Sequence, residues 1–576
     1  MRGAIRRYPN IQIYDDKITN DGTRSMTDRR KRRWLFAASL LLLLALTALA
    51  LRRQPKIYSN EARVLDAEAI SGILDTRQEA GTEDDEKSGE LYRKEEKLPY
   101  CAYERTFYVP VLSGKMPRAS DFQVESAGRE QQVVFADFPA DEEALARAVK
   151  TGEGFSLYIY DDEAFREYQV VFTGTPVLDI TFSDETDGEY TIVHIDMHSG
   201  PKDNGKVVSS EAKMRVRGGV SRNYPKLGFK LKLFEEDAQG NRQKRDVSLL
   251  GLRRDSKWNL AALYADDTKI RDKVAIDLWA DMSADTIPFS DTFGTRMEYV
   301  EVIMNEEYMG LYGLMEPIDE KQLGITDGGS QGLHEYYYKK EGEDIGQDSD
   351  FVFPSVDERV PEKEEGLPDM ILAGLELKNG NGHAAQNAWA PIREYMRMVR
   401  EETFAEDAGT LLDLENVADV WIYIQAIMGV DNRAKNLYYC AKVVDGRYKI
   451  YFVPWDMDMT WGNETDETSP TLQSYYTYPV DKILSWSPGT QLIERNVGNI
   501  RQIIKERWKE LYDGGVLSPE VLTGQMKRQS SYLLDSGAFA RDAERWEDSP
   551  HTDDFTKITE YAKERLQVLD EYIRGL

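Results

Sequence analysis

A tightly turned pair of strands constrains this chain more than any other segment. Residues 436–454 contain two runs rich in β-branched and aromatic residues, separated by Asp445 and Gly446. Asp-Gly between two such runs is among the strongest short-range signals for a β-hairpin. A two-residue turn fixes the register, and counting outward from it sets Asn436 opposite Trp455. The segment therefore predicts a hairpin whose open end gathers the residues on either side of it.

Acidic and amide side chains flank that open end. Asp431 precedes Asn436 by five positions, and Asp456 and Asp458 follow the second strand. The Asp-x4-Asn spacing matches the catalytic loop of protein kinases, in which the Asp orients a hydroxyl and the Asn holds Mg²⁺. Carboxylate and amide oxygens suit Mg²⁺ that also binds substrate phosphates. The pattern predicts a metal site here; the alternative is a hairpin whose aspartates only cap turns.

A second segment, residues 214–236, combines basic residues with a glycine turn at Gly218 and Gly219. Cationic side chains and the N–H groups of a tight turn can hold phosphates. From this segment alone, a solvated pair of basic strands remains an equal alternative. The basic residues on or beside the predicted strands are Arg215, Arg217, Lys226, Lys230 and Lys232.

Composition excludes several classes of protein. With 576 residues the chain is too long for one compact core, and its formal net charge of −29 argues against nucleic acid as a partner. Five histidines are too few for a histidine-rich metal site. The only cysteines, Cys101 and Cys440, exclude a disulfide scaffold; one bridge is possible, but Cys440 lies in a predicted strand that favours a buried free thiol.

An uncharged apolar run at residues 34–51 predicts a membrane anchor, although its length only just spans a bilayer. Basic residues are denser before the run than after it, so the positive-inside rule puts the N-terminus in the cytoplasm and the body of the chain outside. A secretory signal cleaved near Ala50 is the alternative, but the stretch before the run is long for one.

The remaining chain divides by composition and periodicity. Alternating strand patterns with one helical stretch predict a small α+β domain without a functional signal. A helix over residues 416–430 ends just before Asp431, and the last 80 residues predict amphipathic helices. The pattern also predicts a helix capped by Asp267 or Thr268 and a hairpin that turns at Asn305 and Glu306. The predicted organisation is a basic cytoplasmic tail (1–33), a transmembrane anchor (34–52), a charged linker (53–98), the small α+β domain (99–175) and a larger domain with C-terminal helices (176–576).

Five segments within residues 176–465 together resemble the spore coat protein H family of atypical kinases, the CotH kinase family. They are RVRGGVSRNYPKLGFKLKL, KWNLAALYADDTKIRDKVAIDLW, YVEVIMNEEYMGLYGLMEPID, VDNRAKNLYY and YFVPWDMDMTWG, in the order of that family. The resemblance implies an α+β, two-lobed, protein-kinase-like fold. It also implies phosphorylation of Ser or Thr on a coat, envelope or surface protein, with ATP and Mg²⁺ or Mn²⁺ as cofactors.

The resemblance also implies roles for single residues. Asp431 is similar to the catalytic Asp, and Asn436 to the metal-binding Asn. Asp456 is similar to the metal-binding Asp, with Asp458 as a second candidate for that role. The residues implied to lie near ATP are Arg217, Lys226 or Lys230 at the phosphates and Glu316 at the adenine. Family members often carry Arg-Gly-Asn-Ser-Ser where this chain has Arg-Gly-Gly-Val-Ser, so the turn keeps its glycine and loses a polar side chain.

Two alternatives to a protein kinase remain open. One is a non-catalytic surface scaffold or assembly protein, and the other is adenylyl or glutamyl transfer on a kinase-like fold. The predicted topology also places the site outside the cell, where ATP is scarce. The sequence predicts neither the substrate nor an oligomeric state.

Overall fold

The computed structural model describes residues 56–80, 90–111, 116–199, 206–290, 293–325, 333–340, 371–372, 375–379, 385–400, 404–433, 435–463, 479–486 and 488–576. These residues belong to two compact units. The small unit contributes 56–58 and 127–130, where the Gly128 N–H donates to the Lys56 carbonyl at 2.9 Å. The other described residues, within 59–126 and 131–576, belong to the large unit. No helix among the described residues is long and apolar enough to span a bilayer. The predicted tail and anchor lie outside them.

The first part of the chain builds a mixed sheet in the order β2-β9-β10-β11-β7-β6, with β3 also paired to β11. Its elements are β1 Ile57–Glu61, β2 Arg63–Val64, α1 Ala67–Leu74, β3 Gln78–Glu79, β4 Glu90–Arg93, β5 Glu96–Lys97, β6 Tyr100–Cys101, β7 Thr106–Pro110, β8 Phe122–Ala127, β9 Gln132–Phe135, α2 Glu142–Thr151, β10 Gly154–Tyr160 and β11 Ala164–Thr173. Helix α2 begins where Asp141 accepts the Ala144 N–H, and it ends at Gly152 with a φ of 71°.

The segment predicted as a charged linker, residues 53–98, contributes strands to the structure. Its described residues contain β1 to β5 and α1. Short strands such as β2 pair with β9, about seventy positions later in the chain. The local composition of this segment shows its charges, but it cannot show the pairing with strands that lie far away in the sequence.

The next segment forms a strand order that closes on itself: β14-β13-β12-β18-β19-β17-β15, with β15 pairing back to β14 and β16 attached to β15. Side chains from alternate positions fill the inside of this ring, including Trp258, Leu231 and Val302. Closure leaves fewer open edges for pairing with another chain. The elements are β12 Val177–Asp187, β13 Tyr190–His198, β14 Val207–Arg217, β15 Gly228–Glu236, β16 Arg242–Lys244, β17 Lys257–Ala261, α3 Arg271–Ser283, β18 Met297–Met304 and β19 Glu307–Met315.

Two local predictions can be compared here. The hairpin turn at Asn305 and Glu306 is confirmed, and both residues have positive φ, as a two-residue turn of this type requires. The helix predicted to start at Asp267 or Thr268 starts at Arg271 instead. The carboxylate of Asp266 accepts the Arg271 N–H at 2.8 Å, so the stabilising acceptor lies one residue earlier than predicted.

The last part of the chain packs helices around a sheet in the order β21-β22-β20-β23-β24, and together they bury the largest core. The mixed α+β class is therefore confirmed, whereas the two-lobed kinase-like arrangement stays a prediction. Cys101 and Cys440 are buried free thiols. The elements are β20 Tyr336–Lys340, β21 Ile371–Leu372, β22 Leu375–Leu377, α4 Ala385–Arg400, α5 Phe404–Leu411, α6 Leu414–Ile427, β23 Leu437–Val444, β24 Arg447–Pro454, α7 Gly489–Arg495, α8 Ile500–Tyr512, α9 Pro519–Asp535, α10 Ala538–Arg545 and α11 Thr556–Gly575.

Helix α10 joins the closed ring of strands through two adjacent buried ion pairs. Arg541 donates to both oxygens of Glu301 on β18, at 2.7 and 2.8 Å. The next residue, Asp542, accepts from Lys226 at 2.6 Å and from the Leu311 N–H on β19 at 2.8 Å. Removing one partner of such a buried pair costs about 3–5 kcal/mol, because the other charge is left uncompensated. This helix therefore fixes the strands that carry the predicted site.

Candidate active site

The β23–β24 hairpin brings Asn436 and Asp456 to one end of a two-stranded ribbon, as the sequence predicts. Val444 pairs with Arg447, and the Trp455 N–H donates to the Asn436 carbonyl at 2.9 Å. Asn436 and Asp456 both have positive φ, at 59° and 63°. Such conformations cost energy for residues other than glycine and collect at functional sites.

The loop that carries Asp431 is fastened to this end of the hairpin. Asp431 begins a short 3₁₀ turn after α6, and its Oδ2 accepts from the Asn436 Nδ2 at 3.3 Å. Lys435 lies 3.2 Å from the same oxygen. The buried amide of Asn432 donates to the Trp455 carbonyl at 2.8 Å. A buried side chain thus ties the loop to the strand end, which keeps Asp431 beside Asn436.

The segment that carries Asp456 and Asp458 is held by Asp272, a residue that the sequence analysis did not single out. Asp272 lies in the first turn of α3, is 6 % exposed, and accepts the Met457 N–H at 2.9 Å. Its neighbour Arg271 donates to the Thr460 carbonyl at 3.0 Å. The signal in the sequence was a cluster of charged residues at the start of a helix, but no local pattern links it to a segment some 185 positions later.

The carboxylates of this segment are crowded. Burial raises the pKa of Asp272 to about 7, and the negative charge of Asp456 adds to the shift. Burial also raises the pKa of Asp458 well above its usual range, together with the charges of Asp456, Asp272 and Asp431. These groups therefore lie close enough to repel one another, and such crowding favours a bound cation.

One cation from the closed ring reaches this acidic group. The guanidinium of Arg217, at the end of β14, lies 5.5 Å from the ring centroid of Trp455. Its positive charge also opposes the rise in the pKa of Asp272. The structure therefore brings Arg217 together with the predicted catalytic and metal-binding residues.

Arg217 is one end of a row of cations on the outer surface of the ring. Paired residues of neighbouring strands share a face, and the register places Arg215 opposite Lys230, which in turn lies opposite Asn259. We call this surface the basic face. Its members are Lys213, Arg215 and Arg217 on β14, Lys230 and Lys232 on β15, and Lys257 on β17.

The electrostatic surroundings of Lys230 are those of a residue that binds anions. Burial lowers its pKa to about 8, and the nearby charges of Lys232, Lys378 and Arg215 add to the effect. Within the described residues it lies in none of the ion pairs closer than 4 Å. A cation held among cations is stabilised by an added phosphate or carboxylate.

Lys226 is placed differently from its predicted position at the phosphates. Its side chain is 1 % exposed, and its Nζ donates to Asp542 and lies 4.7 Å from the ring centroid of Tyr312. Burial alone would raise the pKa of Asp542, but the charge of Lys226 and a hydrogen bond from His551 hold that pKa well below its usual range. These contacts assign Lys226 to the core that supports the site.

Glu316 is also engaged internally. Its carboxylate accepts the Arg253 N–H at 2.6 Å and the side-chain amide of Gln322. Its main-chain N–H donates to the Arg296 carbonyl at 3.0 Å, and its carbonyl accepts from Thr295 at 2.6 Å. The side chain holds the connector after β19 together, so its polar atoms already have partners where an adenine contact was predicted.

The oxygen donors of Asn436, Asp456 and Asp458 fit a hard divalent cation such as Mg²⁺ or Mn²⁺. In the part of the chain that the structure describes, no three carboxylate, histidine or cysteine side chains are grouped to hold a metal by themselves. A kinase-type Mg²⁺ does not require three, because nucleotide phosphates complete its coordination. The donor set therefore fits a cation that arrives with a phosphate ligand.

Carboxylates and an amide thus meet the end of a cationic row, which is the chemistry of a phosphate-binding centre. A protein-family model described as CotH kinase protein matches residues 214–574, from β14 into α11. The match covers more than half of the chain, and it includes all the predicted site residues. The chain belongs to the CotH kinase family. No curated protein matches it.

Asp272→Ala tests whether that side chain positions the segment with Asp456 and Asp458. Losing the acceptor of the Met457 N–H removes a buried hydrogen bond worth about 1–3 kcal/mol. We expect the amide hydrogens of a peptide covering residues 455–463 to exchange at least about tenfold faster, measured by mass spectrometry. Asp272→Asn keeps an acceptor oxygen and should keep most of the protection. Asp277→Ala on the same helix is the control, and an equal loss of protection in both alanine variants would refute the assignment.

Proposed function

We propose that this protein is a kinase that transfers the γ-phosphate of ATP to a Ser or Thr hydroxyl of a coat, envelope or surface protein. The observation that carries the proposal is the meeting of Asp431, Asn436 and Asp456 with Arg217 at the end of the basic face. Phosphoryl transfer depends mainly on positioning and on neutralising the charge of the phosphates. This arrangement supports both needs.

Each residue has a distinct part in the proposed reaction. Asp431 orients the acceptor hydroxyl and takes up its proton as the oxygen attacks the γ-phosphorus. The bond from that phosphorus to the β–γ bridging oxygen breaks, and ADP leaves. Lys435, 3.2 Å from Asp431, places a positive charge beside that carboxylate. Arg217 and Lys230 bind phosphate oxygens. Oxygens of Asn436, Asp456 and Asp458 would hold Mg²⁺ or Mn²⁺, which neutralises charge on the phosphates when bound.

A non-catalytic scaffold is the second candidate, and a specific observation favours it. Lys226 and Glu316, both predicted to contact ATP, are occupied by partners within the protein. Fewer side chains are therefore left to bind ATP than the family resemblance implies. Under this candidate, loss of Asp431 or Asp456 would leave the cellular role of the protein unchanged.

Incorporation of phosphate tests the kinase proposal directly. The purified chain is incubated with γ-labelled ATP and Mg²⁺ or Mn²⁺, and we expect label on the chain itself or on an added acceptor protein. Asp431→Asn and Asp456→Asn should each lower the rate of phosphate incorporation at least about 100-fold. Each substitution keeps the shape of the side chain but removes the negative charge on which the reaction depends. Asp445→Asn is the control, since Asn tolerates the positive φ of that turn.

Two outcomes would reject the kinase proposal. One is absence of label on any protein with the wild-type chain, and the other is equal labelling by Asp456→Asn. Mass spectrometry of the product separates a phosphoryl group from the heavier adenylyl or glutamyl adducts, which would indicate the alternative transfer reactions on the same fold.

The pH dependence of ATP binding tests Lys230. A lysine is mostly charged well below its pKa of about 8, so the attraction between Lys230 and phosphate is strongest there and is lost as the pH rises through that value. We expect the KM for ATP to rise about tenfold between roughly pH 7 and pH 9.5. This rise corresponds to the loss of one charge-assisted hydrogen bond. Lys230→Arg stays charged and should remove most of the rise, whereas Lys563→Arg should not. A flat wild-type profile would exclude Lys230 from the phosphate site.

We also propose that residues 34–52 anchor the protein in the cell membrane, with the N-terminus cytoplasmic and the catalytic body outside. Protease added to intact cells should then digest the body and spare a tag at the N-terminus. Protection of both parts would instead place the body beside cytoplasmic ATP. The proposed membrane contact is this single N-terminal segment, and the acidic net charge continues to argue against nucleic acid.

A further inference from the structure

The basic face extends well beyond the end that meets the carboxylates. Arg217 marks that inner end, while Lys213, Arg215 and Lys232 lie farther along the same strands. Arg242 on β16 joins them, because β16 pairs with the end of β15 and the guanidinium covers Phe234 at 4.9 Å. We call Lys213, Arg215, Lys232 and Arg242 the outer cations. They are a concentration of positive charge on a protein whose formal net charge is −29.

The outer cations already bind carboxylates. Arg242 lies 3.1 Å from Glu236 on β15, and the other carboxylates come from one short segment. The β12–β13 hairpin ends in residues 184–189, Asp-Glu-Thr-Asp-Gly-Glu, which we call the acidic tip. Glu189 pairs with Arg215 at 2.6 Å, Asp187 pairs with Lys213, and Glu185 pairs with Arg242. The tip therefore occupies the outer cations in the way that an acidic peptide would.

These contacts are weak enough to be exchanged. The side chains of Glu185, Asp187 and Glu189 are 57, 44 and 80 % exposed. Exposed ion pairs contribute about 0–1 kcal/mol each, because water screens them and two long side chains must be ordered. An external carboxylate could replace an internal one at little cost in free energy.

The outer cations are also preorganised for a ligand. Tyr190, directly after the tip, carries Arg215 and Lys232 against its ring, with centroid distances of 5.1 and 4.5 Å. Cation–π contacts hold the charged ends in place without neutralising them. Lys232 lies in none of the ion pairs closer than 4 Å within the described residues, and so one cation of the group has no carboxylate that a ligand must displace.

We propose that the outer cations form a docking site for an acidic segment of the protein substrate, which exchanges with the acidic tip. The inference rests on the proposed function, since it names the substrate class of the same site. A segment docked there runs along the basic face toward Arg217 and the carboxylates around Asp456. The acceptor Ser or Thr would then lie next to a run of Asp or Glu residues in the substrate. The ATP phosphates use the inner end, at Arg217 and Lys230.

Binding of an acidic probe to the full chain tests the docking site without any catalysis. The probe is a fluorescein-labelled peptide of about ten glutamates, followed by fluorescence anisotropy, with a lysine peptide of equal length for comparison. We expect the acidic peptide alone to bind. The double variant Lys213→Glu/Arg242→Glu should weaken that binding at least about tenfold, because it replaces two attractions by two repulsions.

Neutralising the acidic tip is the complementary test. The triple variant Glu185→Gln/Asp187→Asn/Glu189→Gln removes the internal competitor and keeps the side-chain shapes, so it should bind the peptide about threefold or more tightly. The matched control is Lys527→Glu/Lys563→Glu, which changes the net charge as much as the weakening variant but at exposed helix positions. A melting temperature for each variant verifies that the fold is intact.

Three results would overturn the proposal. The first is equal weakening by the control double variant, which would indicate a general field effect. The second is unchanged or weaker binding after the acidic tip is neutralised. The third is full displacement of the peptide by ATP with Mg²⁺, which would reduce the outer cations to part of the phosphate site. Peptide binding requires no ATP, so a failure here and a failure of phosphate incorporation can be told apart.

Discussion

Two adjacent residues of one short helix hold the site-bearing strands in place. Arg541 is paired with Glu301 on β18, and Asp542 with Lys226 before β15, all of them buried. A buried charge without its partner costs several kcal/mol. Because Arg541 and Asp542 are adjacent, a shift of the helix would break both ion pairs at once. Lys226 in turn fixes where β15 begins, and hence the register that sets Lys230 beside Arg215 and leaves Arg217 at the strand end. The position of the cations of the basic face therefore depends on a helix near the C-terminus.

The parts of the site that local physics determines were predictable. Asp445 and Gly446 specify a two-residue turn, the turn specifies the register, and the register puts Asn436 beside Trp455. No long-range information enters that chain of reasoning. The order of the motifs along the sequence then indicated the family, which the family match over residues 214–574 confirms. The α+β class follows from the strand and helix periodicities along the chain.

What the sequence could not give are contacts between distant segments. Asp272 reads as an ordinary residue in the first turn of a helix, and only folding brings it under the Met457 N–H. Lys226 and Lys230 are equivalent basic residues in the sequence, yet one is buried against Asp542 and the other faces neighbouring cations. The charged segment before residue 99 has no visible core because its partner strands lie elsewhere in the chain.

The strand pleat gives the closed ring two chemically different surfaces from the same strands. Along β14, Met214 and Val216 point toward the apolar interior, so Arg215 and Arg217 must point outward. The inner end of this outer surface lies beside the crowded carboxylates around Asp456. Its outer end carries the cations that pair with the acidic tip. One alternating pattern thus supplies the apolar core on one face and the cations of the proposed binding sites on the other. A change of register by a single residue would disrupt both faces together, since it would bury the cations and expose the core.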